Sequence, residues 1–266
     1  MKDNKLWIFI HAPRTGGTSL ITYIKQSVPK EEIIVPSNIR YGFESPDFDK
    51  KKARFILGHA TYYGIHQEFS GKKPIYFTFL RDPAERIVSF YNEKFKNYPG
   101  SEIVPFEKWY KSQPKNELVR FYNLKLQGSE SSHIKIPKIL AFFLKFIKIG
   151  YKMSNFLQSS IRKVHPYSQT NKDLENAKIF LDKCHFVAII ENSKEDSKFL
   201  FKLMGIKGVK WERSSTYRKK IIDTNEKIRE MIYRDNPLDY KLYKYALELN
   251  KRIKKRYKQK SSFKKK

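Results

Sequence analysis

One stretch, Leu6-Trp7-Ile8-Phe9-Ile10-His11-Ala12-Pro13-Arg14-Thr15-Gly16-Gly17-Thr18-Ser19-Leu20, restricts the possible folds of this chain more than any other. It opens with an unbroken apolar run, the pattern of a strand buried on both faces, as in a parallel sheet covered by helices. Pro13 has no N–H to donate, so regular pairing stops there. Gly16 and Gly17 permit a tight turn and close backbone approach. Thr18 and Ser19 suit a helix start, and Leu20, Tyr23, Ile24 and Val28 come after them at helical spacing. The stretch therefore predicts strand, glycine loop and helix, the helix over about Thr18–Val28. Free N–H groups at a helix N-terminus attract phosphate or sulfate, and Arg14 adds a fixed positive charge there. A purely structural turn has the same shape, so the loop alone leaves both readings open. It is not the usual ATP loop, which needs Gly-x-x-x-x-Gly-Lys-Ser/Thr. Gly17 stands where that lysine would be, and the glycine spacing differs.

Further apolar runs predict strands at Arg54–Leu57, ending in Gly58-His59, at Ile75–Leu80, and at Phe186–Ile190. After Leu80, Asp82 is a good N-cap, Pro83 suits the first helical position, and Glu85 completes a capping box. The helix begun there turns Ile87, Val88, Tyr91 and Phe95 inward. Phe106–Lys111, Leu118–Leu126, a segment from Ser193 to Gly205, Thr224–Arg234 and Leu238–Lys258 read as further helices. Strands alternating with helices predict a mostly parallel α/β sheet. No internal repeat or linker divides the chain. The expected organisation is one domain over residues 1–250, a helical insertion at about 130–165, and a basic tail at 251–266. In open α/β sheets, ligands bind beyond the carboxyl ends of the strands. His11–Ser19, His59 and Arg81 all fall at such ends.

Two motifs resemble those of sulfotransferases. Pro13-Arg14-Thr15-Gly16-Gly17-Thr18-Ser19 resembles the 5′-phosphosulfate loop, in the form found in the carbohydrate branch that includes the heparan sulfate 2-O and chondroitin enzymes and bacterial relatives. Leu80-Arg81-Asp82-Pro83-Ala84-Glu85-Arg86-Ile87-Val88-Ser89-Phe90-Tyr91 resembles the 3′-phosphate motif, in which an arginine and a serine eight residues later bind the phosphate. The resemblance implies a P-loop nucleotide-kinase-like three-layer fold and the donor 3′-phosphoadenosine 5′-phosphosulfate (PAPS). Arg14, Thr15, Gly16, Gly17, Thr18 and Ser19 would hold the 5′-phosphosulfate, and Arg81 and Ser89 the 3′-phosphate. Tyr217 and Arg218 would lie in a loop over the cofactor. Gly58-His59 occupies the place of the family's catalytic base, and neutral imidazole is suited to accept a hydroxyl proton. A capping or core histidine is the plain alternative. His11, inside the loop, fits an orienting or substrate-binding role. Asn116 and Arg120 sit where the family lines its acceptor cleft, though a solvated helix face reads the same. The family often has lysine where Arg14 stands; arginine keeps the charge but cannot give up its proton. The implied activity is sulfuryl transfer from PAPS to an acceptor hydroxyl, most often of a carbohydrate, with no metal.

Lys and Arg total 55 against 27 Asp and Glu, a net charge of +28. Such an excess suits a polyanionic partner: a nucleotide, an acidic or sulfated glycan, nucleic acid or anionic lipid. Ten of these cations lie between Lys251 and Lys266 with no acid among them. Cys184 is the only cysteine, which fits a reducing compartment and a small core residue. No secretory signal precedes the first strand, and no apolar run reaches the roughly 20 residues of a bilayer span. A cytoplasmic enzyme is the expectation. Lys138–Lys152 gathers Lys138, Lys145, Lys148 and Lys152 in one stripe on an otherwise apolar wheel. That pattern fits a helix at the inner face of an anionic membrane, near a lipid-linked glycan acceptor, and equally a helix packed on the core. Two rival functions remain at this level. An ATP-dependent phosphotransferase would need Asp82 or Glu191 for Mg²⁺, and lacks the lysine. A nucleic-acid-binding protein would show salt-sensitive binding to any polyanion.

Overall fold

The computed structural model describes residues 4–35, 49–59, 61–125, 168–207 and 220–263. Its centre is a five-stranded sheet of β1 (Lys5–Ile10), β2 (Ile33–Ile34), β3 (Phe55–Gly58), β4 (Lys73–Leu80) and β5 (Phe186–Ile189). The strand order is β2-β3-β1-β4-β5, and every pairing is parallel. The α/β class with a parallel sheet is thus as the alternation of apolar runs and helices predicts. β2 is an addition to the expected strands, since two half-buried isoleucines are too short for a periodicity signal.

Around the sheet run α1 (Gly17–Ser27), α2 (Pro83–Phe95), α3 (Phe106–Lys111), α4 (Glu117–Tyr122), α5 (Asn171–Lys183), α6 (Ser193–Met204), α7 (Glu226–Asp235) and α8 (Pro237–Phe263). α5 is a second addition, masked by its polar composition. Thr170 opens it with a full capping box, its hydroxyl accepting from Asp173 N–H while the Asp173 carboxylate accepts from Thr170 N–H. α8 continues well past residue 251, and Ile253 is buried in the core, so most of the expected basic tail is helix. The insertion around 130–165, Lys138–Lys152 included, lies outside the described residues.

β1 carries the fold. Leu6, Ile8, Phe9 and Ile10 have no exposure, and β1 pairs with β3 on one edge and β4 on the other. Ile10 is level with Gly58 and with Thr78, so the three strands run out together. Cys184 is buried, and burial pushes its thiol well above the ordinary range, which leaves it an inert core residue. A second apolar cluster joins α2, α3 and α7 through Val88, Tyr91, Phe106, Trp109 and Ile232.

Buried helix ends are closed by side chains from elsewhere in the chain. Asn116 Oδ1 accepts from Leu238 N–H (2.9 Å) and Asp239 N–H (3.2 Å), capping α8. In return Asp239 accepts from Leu118 N–H (3.0 Å) and Val119 N–H (2.9 Å), capping α4. Asn116 itself adopts a left-handed φ of 53°, which asparagine tolerates best among residues with side chains. Its carboxamide oxygen is therefore committed to holding α8. Asn116→Ala should lower stability by about 1–2 kcal/mol in urea unfolding, the usual cost of a lost cap. An unchanged midpoint would show that the cross-cap carries no weight.

Candidate active site

The loop after β1 is bent by two left-handed residues, Arg14 (φ 67°) and Gly16 (φ 80°), which flank the buried Thr15. A non-glycine residue in that region costs on the order of 1–2 kcal/mol, so something must hold it. Several contacts do. Thr15 Oγ1 donates to Ala12 O at 2.8 Å, Arg86 Nε donates to Pro13 O at 3.1 Å, and Arg81 Nη1 reaches Arg14 O at 3.5 Å. Neither glycine is replaceable. A Cβ on Gly16 would lie 2.2 Å from Ile190 Cδ1, and one on Gly17 would lie 2.2 Å from His11 Nε2. No side chain caps α1, and its first turn holds no acid. The sequence thus builds a curved backbone with an uncapped helix start, the form that receives an anion.

Arg14 lies along α2. Its Nε and Nη2 donate to Ser89 Oγ at 3.1 and 2.9 Å, and Nη1 pairs with Glu93 at 3.3 Å. The residue expected at the sulfuryl group and a residue expected at the 3′-phosphate are therefore in direct contact. Arg81, at the end of β4, pairs with Glu85 at 3.5 Å. Asp82 caps α2 as expected, accepting from Ala84 and Glu85 N–H. The other half of the expected capping box is different: Asp82 N–H goes to Glu191 Oε1 at 3.1 Å. Glu85 is drawn away by Arg229 at 3.0 Å, which also pairs with Asp82 at 3.2 Å, and Tyr233 OH donates to Asp82. Glu191 also accepts from Tyr243 OH at 3.0 Å, and burial pushes its carboxyl above the ordinary range. Both carboxylates that an ATP-dependent rival would assign to Mg²⁺ thus serve helix ends and neighbouring side chains.

His59 comes directly after β3 and is exposed. Its Nδ1 stands 3.2 Å from His11 O, and since a carbonyl only accepts, Nδ1 carries the proton in this contact. Nε2 is left as the basic nitrogen. Beneath it the rings form a column. His59 stacks on His11 at 3.9 Å, His11 on Phe9 at 4.9 Å, and Phe9 on Phe77 at 5.0 Å. His11 is only 2% exposed, so it meets the site through His59 rather than by touching an acceptor. Burial first, then His59, lowers its pKa to about 3. Arg120 is exposed on α4, and Tyr217 and Arg218 lie outside the described residues. Thr18 is exposed, and Ser19 half-buried, on the first turn of α1.

Glu93, Arg86, Arg229 and Tyr233 complete this site and are not among the residues expected from the sequence. Each acts across elements, through contacts for which motif spacing along the chain holds no signal.

The Sulfotransferase family model matches residues 50–246. The chain belongs to the sulfotransferase family. That family has a P-loop-like fold, in agreement with the parallel sheet and the glycine loop. The match covers His59, Arg81 and Ser89; the loop at 11–19 lies before it and is joined to it by the pairing of β1 with β3 and β4. No curated protein matches the chain.

The low pKa of His11 makes stability pH-dependent. The unfolded chain takes up a proton near pH 6.5 that the folded chain refuses until about 3. His11 is thus at its most compatible with folding above pH 6.5, and stability falls as pH drops through that window, by on the order of 1.4 kcal/mol per unit. Between pH 7 and 5, wild type should lose about 1–2 kcal/mol more than His11→Phe in urea unfolding. Equal losses would mean that His11 is protonated in the fold.

Proposed function

We propose that this sulfotransferase uses PAPS and that His59 is its general base, with a carbohydrate hydroxyl as the acceptor. The observation that carries this reading is the convergence of the glycine loop, Arg14, Arg81, Ser89 and His59 at the carboxyl ends of β1, β3 and β4. The residues present fit the donor: an uncapped helix start, two glycines that leave no room for a Cβ, and two guanidiniums. Backbone N–H groups from Thr15 to Ser19 and Arg14 would hold the 5′ end, and Arg81 and Ser89 the 3′-phosphate. When bound, PAPS supplies an activated sulfuryl group.

The chain's own residues then have distinct tasks. His59 Nε2 takes the acceptor hydroxyl proton, while Nδ1–H keeps the ring aligned on His11 O. His11, held neutral by burial, gives that ring a flat support without adding a competing charge. Arg14 keeps its proton and offsets negative charge that develops on the donor. Glu93 and Ser89 hold Arg14 between turnovers. The charge of +28 favours an acidic glycan among carbohydrate acceptors. No helix among the described residues is long and apolar enough to cross a membrane. A lipid-linked acceptor at the inner face of an anionic membrane is the setting we propose, motivated by Lys138–Lys152.

Transfer of radiolabelled sulfate from PAPS to a panel of polysaccharides tests the reading. His59→Ala should lose roughly 10² to 10⁴ in turnover and keep its PAPS affinity. Arg14→Ala should lower kcat more than it raises KM, because its charge acts where negative charge develops. Normal turnover in His59→Ala would remove the base from this position.

A further inference from the structure

At the opposite end of the sheet the structure holds a cavity of about 390 Å³, between the end of α5, the start of β5 and the last turns of α8. Its size lies within the range of small-molecule sites, roughly 300–1,000 Å³. His185 marks the amino end of β5, where its N–H donates to Tyr76 O at 2.7 Å. From Tyr243, which touches Glu191 beside the candidate active site, α8 rises roughly 20 Å to Arg256. The cavity is therefore no part of the catalytic crevice.

Its walls combine apolar and cationic groups. Leu249 and Ile253 are buried and form an apolar floor. Tyr257 adds an aromatic wall and packs edge-on against Phe199 at 5.6 Å. Arg252 and Arg256 stand one helical turn apart on the same face of α8 and both line the space. Nearby cations of α8 are already neutralised, Lys251 by Glu248 and Lys254 by Asp196 and Glu195. Arg252 and Arg256 form no ion pair with a described carboxylate. Asp182, the acid in the wall, is 2.7 and 2.8 Å from the Tyr245 hydroxyl, and Arg252 hydrogen-bonds that same tyrosine and lies over its ring at 5.7 Å. His185 contributes an imidazole; burial first, then Lys73, hold it below the ordinary histidine range, so near neutral pH it offers a hydrogen bond without charge.

We propose that this cavity is a second anion site, for a sulfate or phosphate monoester carried on a small aromatic or apolar body. Arg252 and Arg256 take the oxyanion, since guanidinium forks match tetrahedral oxyanions in both charge and hydrogen-bond geometry. Leu249, Ile253 and Tyr257 take the organic body. Two arginines a turn apart that form no ion pair with a described carboxylate repel each other, and an anion relieves that repulsion.

The test titrates 4-nitrophenyl sulfate and 4-nitrophenyl phosphate by calorimetry at low ionic strength, with adenosine 3′,5′-diphosphate present throughout to fill the nucleotide site. The neutral 4-nitrophenyl glucoside and phosphatidylglycerol vesicles are the comparison arms. Wild type should bind one equivalent of either anionic ester. Arg252→Ala/Arg256→Ala should bind them at least tenfold more weakly, with an unchanged melting temperature and unchanged affinity for the nucleotide. The proposal is overturned if the double variant binds the esters as wild type does, or if the neutral glucoside binds equally well. It is also overturned if the esters bind only when the nucleotide is left out, or if vesicles bind and the free esters do not. Should the nucleotide itself fail to bind, the reading of the catalytic crevice fails, while the arginine dependence of ester binding still decides this site.

Discussion

Everything at the candidate active site depends on the burial of β1 between β3 and β4. A slip of one residue from the observed register would carry Leu6, Ile8, Phe9 and Ile10 to the opposite faces of the sheet, where the close-packed neighbours do not match their shapes. That register brings Ile10 level with Gly58 and Thr78, and the residues just beyond each strand are then placed without further choice. His11 continues the column of rings begun by Phe77 and Phe9, and His59 closes it at the surface. Gly17 is required because the His11 imidazole occupies the space of its Cβ. A packing constraint in the core thus dictates a glycine at the start of α1, which is the feature an anionic ligand needs.

A second constraint is that polar groups taken into this interior must find partners. The chain meets much of it with reciprocal bonds between distant segments, whereas His11 Nδ1 and Trp109 Nε1 are buried with no hydrogen-bond partner among the described residues. Asn116 and Asp239 close each other's helices, and Glu191 takes the Asp82 N–H while Asp82 caps α2. Asp196 accepts from Ile189 N–H at 2.6 Å and from Asn250 Nδ2 at 2.9 Å, tying α6 and α8 to β5. These bonds lock the segments that carry Arg81, Ser89 and Glu191 against the strand ends. The left-handed Arg14 is held in the same way, by contacts from Arg81 and α2 that reach its carbonyl and its guanidinium.

The sequence is informative wherever a physical signal is local. Buried strands announce themselves as apolar runs, so β1, β3, β4 and β5 are visible in it along with the parallel α/β class. Asp82-Pro83 announces the start of α2, and Gly205 the end of α6, through the backbone they favour. Local signals also have limits. β2 has too few residues for periodicity, and the polar surface of α5 hides a capping box that Thr170 and Asp173 spell out. The capping role of Asn116 is hidden because its partners, Leu238 and Asp239, are more than a hundred positions away. The same separation hides Arg229, which draws Glu85 from its expected capping role, and Tyr233, which donates to Asp82. Family motifs name candidate site residues that local physics leaves open; among the described residues the structure sets Arg14 beside Ser89 and Glu93, and Arg81 beside Glu85.

The central claim is that Arg81 and Ser89 form a seat for a 3′-phosphate beside the glycine loop. Calorimetric titration of adenosine 3′,5′-diphosphate against adenosine 5′-diphosphate measures this directly, since the two ligands differ in where one phosphate is attached. The account predicts at least tenfold tighter binding of the 3′,5′ isomer, about 1.4 kcal/mol or more, and loss of that preference in Arg81→Ala. Equal affinity for the two isomers in wild type, or a preference that survives Arg81→Ala, would contradict it.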